Sequence, residues 1–259
     1  MSCSRKLIGW WAGPDSLSYR CAHPDIFRED LPPDRQRQLF REMIRLVELE
    51  PHAICNRACA FCLNSVTGTR AGVMSEALHE RILDELSELG YAGTVVYARH
   101  CEPLADTRLE TLLAMARRKL PSAELKVITN GDLLTGVRLA TLIAAGLNRL
   151  AVSLYLPETS NWSAAVAEER IRTFAVRLGV ACGKWRRYRG GVFAELAIPG
   201  LLADVRCLDF KPGLAMRNHG GSVTWLTDPA YQRRWPCPYV FRNLPLDWAG
   251  NVMPCCNLH

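Results

Sequence analysis

From residue 44 onward the chain alternates between two periodicities, and that alternation limits its fold more than any other feature. Ile44–Glu50 alternates apolar and polar side chains as a strand does, and Ser75–Leu89 then carries Leu78, Ile82, Leu83 and Leu86 at helical spacing. The pattern continues as strand Thr94–Ala98, helix Thr107–Leu120, strand Glu124–Thr129, helix Val137–Ala145, strand Arg149–Tyr155, helix Ala164–Leu178 and strand Val192–Ile198. Strands that take turns with helices predict a parallel sheet whose functional loops gather at the strands' C-terminal ends. A sixth strand is expected at Val205–Phe210, although the connection from Ile198 is too short for a covering helix. The expected fold class is α/β, a partial (β/α)6 TIM-type barrel with a small C-terminal cysteine-containing auxiliary region. At 259 residues and 49% hydrophobic, the chain can bury such a core as one main domain. Residues 1–43 are read as an N-terminal extension with a short helix at Asp34–Met43 behind Pro32-Pro33, 44–215 as the barrel, and 216–259 as the auxiliary region.

The first strand runs into Cys55-Asn56-Arg57-Ala58-Cys59-Ala60-Phe61-Cys62. Three thiolates on one short loop can hold three irons of a [4Fe-4S] cluster and leave the fourth open to a small molecule. A three-cysteine zinc site completed by His52 or His100, or a set of structural thiols, would use the same residues. The spacing, with an aromatic before the third cysteine, resembles the signature of the radical S-adenosylmethionine (SAM) superfamily. That resemblance implies that Cys55, Cys59 and Cys62 ligate the cluster and that Phe61 lies beside the adenine of SAM. Tyr97-Ala98-Arg99-His100-Cys101-Glu102-Pro103 looks like the superfamily's Gly-Gly-Glu-Pro segment, with His100 and Cys101 in place of the glycines. Glu102 would accept hydrogen bonds from the SAM amino group. The resemblance likewise assigns Asn130 and Ser153 to the SAM carboxylate and ribose, and the backbone at Ile198 and Pro199 to adenine.

In the tail, twelve residues separate Cys237 from Gly250 and four more separate Gly250 from Cys255. This is similar to the opening half of a SPASM or twitch auxiliary-cluster domain and implies a second [4Fe-4S] cluster on Cys237 and Cys255. Its further ligands would come from Cys256, His259, Cys3, Cys21, Cys182 or Cys207, while a zinc site or a disulfide at Cys237 and Cys255 is the alternative. Neighbouring side chains on extended backbone point apart, so Cys256 is read as a free thiol near the barrel mouth. Eleven cysteines, an odd number, together with no apolar run near the ~20 residues that span a bilayer, fit a cytoplasmic protein of clusters and free thiols without membrane contact.

The resemblance implies reductive cleavage of SAM to a 5′-deoxyadenosyl radical, with the electron from an external donor such as flavodoxin or ferredoxin. The expected substrate is a small molecule of the aminoglycoside or aminocyclitol type, because the short chain with a twitch-like tail resembles enzymes of aminoglycoside biosynthesis. Epimerisation of a carbinol carbon is the favoured reaction, with Cys256 as hydrogen donor and Cys101 as its substitute. A dehydrogenase using the auxiliary cluster as electron acceptor, a peptide-modifying enzyme and a non-catalytic iron–sulfur carrier are the alternatives. Asp209, Glu195, Asp247 and Glu158 are carboxylates that could meet a cationic substrate. The net charge of +6 has one concentration, Lys184-Trp185-Arg186-Arg187-Tyr188-Arg189, which is read as a solvated loop, and no nucleic-acid partner is expected.

Overall fold

A computed structural model describes residues 30–64, 71–156, 161–188, 190–209, 223, 237 and 239–255. An N-terminal helix, α1 (Pro33–Met43), leads into strand β1 (Leu46–Leu49). Three strand–helix pairs surround the early core: α2 (Glu76–Glu88), β2 (Thr94–Tyr97), α3 (Leu109–Lys119), β3 (Glu124–Thr129), α4 (Gly136–Ala144) and β4 (Arg149–Leu154). The helix starts follow local chemistry. Ser75, Thr135 and Ser163 each accept the backbone N–H three residues on, capping α2, α4 and the later α5 (Ala164–Leu178).

After α5 come β5 (Ala181–Tyr188), β6 (Gly191–Ile198) and β7 (Leu201–Leu208), and then the short helix α6 (Tyr239–Arg242) leads into β8 (Asn243–Leu246). The eight strands form one sheet in the order β5-β6-β7-β4-β3-β2-β1-β8. Strands β8, β1, β2, β3, β4 and β7 pair in parallel, and β6 runs against both of its neighbours. Six parallel strands are present as expected, but the expected fifth, Val192–Ile198, runs antiparallel as β6; the expected sixth, Val205–Phe210, is β7 at Leu201–Leu208, and β8 makes up the number.

Two expectations are corrected here. Lys184–Tyr188 is part of the edge strand β5, not a solvated loop. Ile198-Pro199-Gly200-Leu201 is the tight hairpin turn between β6 and β7, with Gly200 at φ +76° and Ile198 paired to Leu201. Leu202 lies opposite Arg149, the first residue of β4, so this turn sits at the far end of the sheet from Asn130 and Ser153. Proline sets the first turn position and glycine supplies the positive φ of the second, which explains why the pair looked like a strand end.

Because β1 to β4 add in sequence order through right-handed crossovers, their helices fall on one face of the sheet. Val47, Leu49, Val95, Tyr97, Leu125, Val127, Leu150, Val152, Ala203 and Val205 meet the helices' apolar stripes there in one continuous core. The alternate residues, including Glu48, Lys126, Ser153, Asp204 and Arg206, share the opposite face, where the Tyr239 hydroxyl of α6 donates to Glu48 Oε2 at 3.2 Å. No helix among the described residues is long and apolar enough to cross a membrane.

Candidate active site

The loop after β1 is short of regular structure and is held from several sides. His52 bridges to Val73, the Ala53 N–H donates to Gly72 O at 2.9 Å, and the Cys62 N–H donates to Cys59 O at 2.9 Å. Cys55, Cys59 and Cys62 are all half-buried. Burial is the main influence raising each thiol pKa, with Cys59 reaching about 11, and the three also act on one another electrostatically. They are neutral at ordinary pH, and a metal that ligates them must displace their protons.

Among the described residues no three of His, Cys, Asp and Glu converge closely enough for a single metal ion. His52 is not a zinc ligand through Nδ1, because that atom accepts the Ile54 N–H at 3.0 Å, which leaves the proton on Nε2.

Across from the cysteine loop, Glu102 is buried at the end of β2 and accepts three hydrogen bonds. The Leu104 N–H and the Thr129 hydroxyl donate to Oε1 at 3.1 and 2.6 Å, and the Asn130 N–H donates to Oε2 at 2.7 Å. Burial nevertheless pushes its pKa above the usual carboxylate value, against the pull of those donors. Two carboxylate oxygens offer about four acceptor sites, so one remains for a further donor such as an ammonium. Around it, the segment is fastened by Arg108, paired with Asp106 at 2.7 Å and donating to Met74 O, and by Arg138, which donates to the carbonyls of Leu104 and Asp106.

The chain reaches Glu102 through a strained step. Arg99 has φ +106°, the one positive φ at a non-glycine among the described residues, and its buried guanidinium faces Glu48 at 3.6 Å. The unusual backbone therefore falls just before His100 and Cys101, the residues that stand in the glycine positions. Cys101 donates its S–H to Ala98 O at 3.4 Å, and burial holds its pKa well above the ordinary thiol value.

A polar network links the two halves. Asn130 Nδ2 donates to Asn56 Oδ1 at 2.7 Å, Asn56 Nδ2 donates to Asp132 Oδ2 at 3.1 Å, and the Asp132 N–H donates to Asn130 Oδ1 at 2.9 Å. Arg57 grips both oxygens of Asp132 at 2.5 and 2.6 Å and lies over the Tyr155 ring at 5.4 Å. Phe61 packs on the same ring, centroids 5.1 Å apart. Ser153 is buried, and its Oγ accepts from Arg206 Nε at 2.9 Å.

Asn56, Arg57, Asp132, Tyr155 and Arg206 were not foreseen as parts of the site. Their partners lie on other strands, so no local spacing announces them. One available signal was a cation flanked by apolar residues in a strand, as with Arg206 between Val205 and Cys207.

The C-terminal hairpin sits beside this end of the sheet. Asp247 Oδ1 accepts the N–H groups of Ala249 and Asn251 at 3.0 and 2.8 Å, and Gly250 completes the turn at φ +85°. That turn accounts for the glycine of the Cys237–Cys255 spacing. Trp248 lies so close over Gly72 that a Cβ there would sit 2.2 Å from its ring, so the hairpin backs the return limb of the cysteine loop. Cys237 and Cys255 are half-buried, the one before α6 and the other after the hairpin. Cys256, Cys3, Cys21, Arg189, Glu158 and His259 lie outside the described residues.

Residues 49–160 match the model of the Radical SAM superfamily. Over 113 residues the chain is 34% identical to an S-adenosyl-L-methionine-dependent 2-deoxy-scyllo-inosamine dehydrogenase of Niallia circulans, a match that covers 43% of this chain and 45% of that enzyme. The aligned region thus spans less than half of the relative's length. The fold is similar to that of BtrN in complex with AdoMet and 2-DOIA, with a TM-score of 0.58 at 22% identity over 83% of this chain and 74% of that one. The selenomethionine form of BtrN in an open conformation aligns over 83% of this chain and 70% of its own, with a TM-score of 0.51 and 22% identity.

Proposed function

From the radical SAM domain that residues 49–160 form, we propose that the protein is an enzyme holding a [4Fe-4S] cluster on Cys55, Cys59 and Cys62 with S-adenosyl-L-methionine at its open iron. It oxidises a carbinol carbon of an aminocyclitol-type small molecule to a ketone. The reading is carried by the Asn56–Asn130 hydrogen bond, because it joins the three-cysteine loop to the buried Glu102 node at one end of one sheet. An electron carrier has no use for a buried carboxylate with a spare acceptor site beside its cluster. When bound, the cluster and SAM supply one-electron cleavage of the sulfonium and removal of a hydrogen atom from an unactivated C–H bond.

The chain's own residues bind and orient. Glu102 takes the SAM ammonium on its remaining acceptor site, and the backbone donors to Glu102 keep that carboxylate from turning away. The Asp132–Arg57 pair fixes the middle of the cysteine loop, and Phe61 and Tyr155 offer an aromatic wall to the adenine. Cys237 and Cys255 would hold a second cluster that accepts the electron left on the oxidised carbon, and a flavodoxin- or ferredoxin-type donor would reduce the first. The dehydrogenase named above favours oxidation over epimerisation on Cys256.

The test is anaerobic reconstitution, reduction and incubation with SAM. Wild-type protein should form 5′-deoxyadenosine, whereas the triple variant Cys55→Ala, Cys59→Ala, Cys62→Ala should not and should keep only about one cluster's worth of iron and sulfide. Wild-type SAM cleavage by the triple variant would refute the reading. With 2-deoxy-scyllo-inosamine in D2O, a ketone is expected, and an inverted carbinol carrying solvent deuterium would favour the epimerase.

A further inference from the structure

The sheet face turned away from the helical core carries charges outside the proposed cluster and SAM ligands. Lys126 lies on that face of β3, directly across from Arg149 on β4, and Asp204 and Arg206 lie on the same face of β7, across from Ala151 and Ser153. Lys126 is half-buried, within electrostatic range of Arg149, Asp204, Glu124 and Arg206. Several other charges on or beside this face already have partners. Arg149 faces Glu124 at 3.7 Å, Glu195 takes Arg186 at 3.1 Å, Glu48 faces Arg99, and Glu50 accepts the His100 N–H.

Among the described residues no hydrogen bond or ion pair engages Lys126 or Asp204, and Arg206 uses only its Nε, on Ser153. What remains is rich in donors: an ammonium with three N–H groups and the two terminal nitrogens of a guanidinium, against one carboxylate. Burial first, and then Arg149, pulls the Lys126 pKa below the ordinary lysine value, a penalty that a bound anion would relieve. Neutral hydroxyls could satisfy some of these donors. A phosphate or carboxylate satisfies them with charge-assisted bonds and cancels the excess positive charge.

We propose that this face is the substrate site, that Lys126 recognises an acidic substituent, a phosphate or a carboxylate, on a polyhydroxylated ring, and that Arg206, beside Ser153 four register positions further along, meets the ring hydroxyls. The proposal rests on the radical SAM chemistry above and departs from it in one respect, setting an acidic polyol in place of the basic aminocyclitol. An acidic polyol lies with its anionic group toward Lys126, which leaves its carbinol carbons toward the Ser153 and Asn130 end. Asp204 then serves as an acceptor for ring hydroxyls.

The experiment measures binding by calorimetry to anaerobically reconstituted protein saturated with SAM. Four probes are used: myo-inositol 1-phosphate, glucuronate, neutral myo-inositol and scyllo-inosamine. Acid-bearing probes should bind about 10- to 100-fold more tightly than myo-inositol, a difference that shrinks with added salt. Whichever of the phosphate and glucuronate arms is tighter identifies the acid. Lys126→Met, which keeps the apolar stem, should remove the preference, and Lys126→Arg should keep most of it. Equal binding of acidic and neutral probes, tightest binding of scyllo-inosamine, no binding of any probe, or an unchanged preference in Lys126→Met would each overturn the proposal. Formation of 5′-deoxyadenosine by the same wild-type preparation without any polyol reports on the radical SAM reading separately.

Discussion

Replacing Glu102 with glutamine tests the centre of the site, because the change keeps the shape and removes one acceptor. The carboxylate takes two donors on Oε1 and a third on Oε2. A glutamine with its oxygen at Oε1 turns an NH2 against the Asn130 N–H. With the oxygen at Oε2, the NH2 faces the Leu104 N–H, and the Thr129 hydroxyl must rotate to accept. Either way one buried backbone donor is stranded, at about 1–3 kcal/mol. Relief of the burial penalty that raises the Glu102 pKa offsets part of this. A net loss of about 1–2 kcal/mol should lower the melting temperature by roughly 2–8 °C in a chain of this size.

The effect on SAM is separate. Loss of a charge-assisted bond to its ammonium is worth about 1.5–3 kcal/mol, roughly 10- to 150-fold in Kd. Anaerobic calorimetry measures both quantities. Unchanged SAM affinity in a folded Glu102→Gln protein would remove Glu102 from the cofactor site. The wild-type pH dependence has a fixed sign. Glu102 must be ionised to hold an ammonium and its pKa is raised, so SAM affinity should fall as pH drops from neutral through that raised value.

Two further outcomes concern stability. Gly131→Ala places a Cβ at φ +79°, 2.8 Å from Val152 and 2.9 Å from Phe174, and should cost about 1–3 kcal/mol by denaturant melts. His79 is buried against the Tyr97 hydroxyl at 2.9 Å, and burial lowers its pKa from 6.5 to about 4. Its neutral form supports the fold fully above pH 6.5, and that support, up to ~3 kcal/mol, disappears as pH falls toward 4; His79→Gln should flatten the melting-temperature profile across this window.

The parallel core was legible because each buried strand and amphipathic helix shows its period over enough residues to be counted; Glu124–Thr129 and Ala164–Leu178 match their expected bounds. Edge strand β5 was not, because most of its side chains are exposed on both faces, so its sequence has the composition of a loop. Its packing is confined to a few side chains: Cys182 and Trp185 touch the core, the Arg172 guanidinium lies 4.7 Å from the Trp185 ring, and Tyr188 meets Phe193 edge-on. In the site, the cysteine spacing and Glu102 could be read because they lie in contiguous motifs. The bracing of that loop by Asn130 and Asp132 could not, since those residues are more than seventy positions from Asn56 and Arg57.

The pairing of β8 with β1 has a consequence for how the protein is made. Leu46 lies beside Asn243, so the outer edge of β1 has no partner until β8 has left the ribosome. Closing so long a loop is entropically slow, and a bare strand edge invites pairing with other chains meanwhile. The cysteine loop follows β1 directly and leans on Trp248 of the same late hairpin. Nascent chains halted before residue 243 therefore present the three-cysteine loop without its backing, so loading of the proposed cluster is favoured only after synthesis has passed that point.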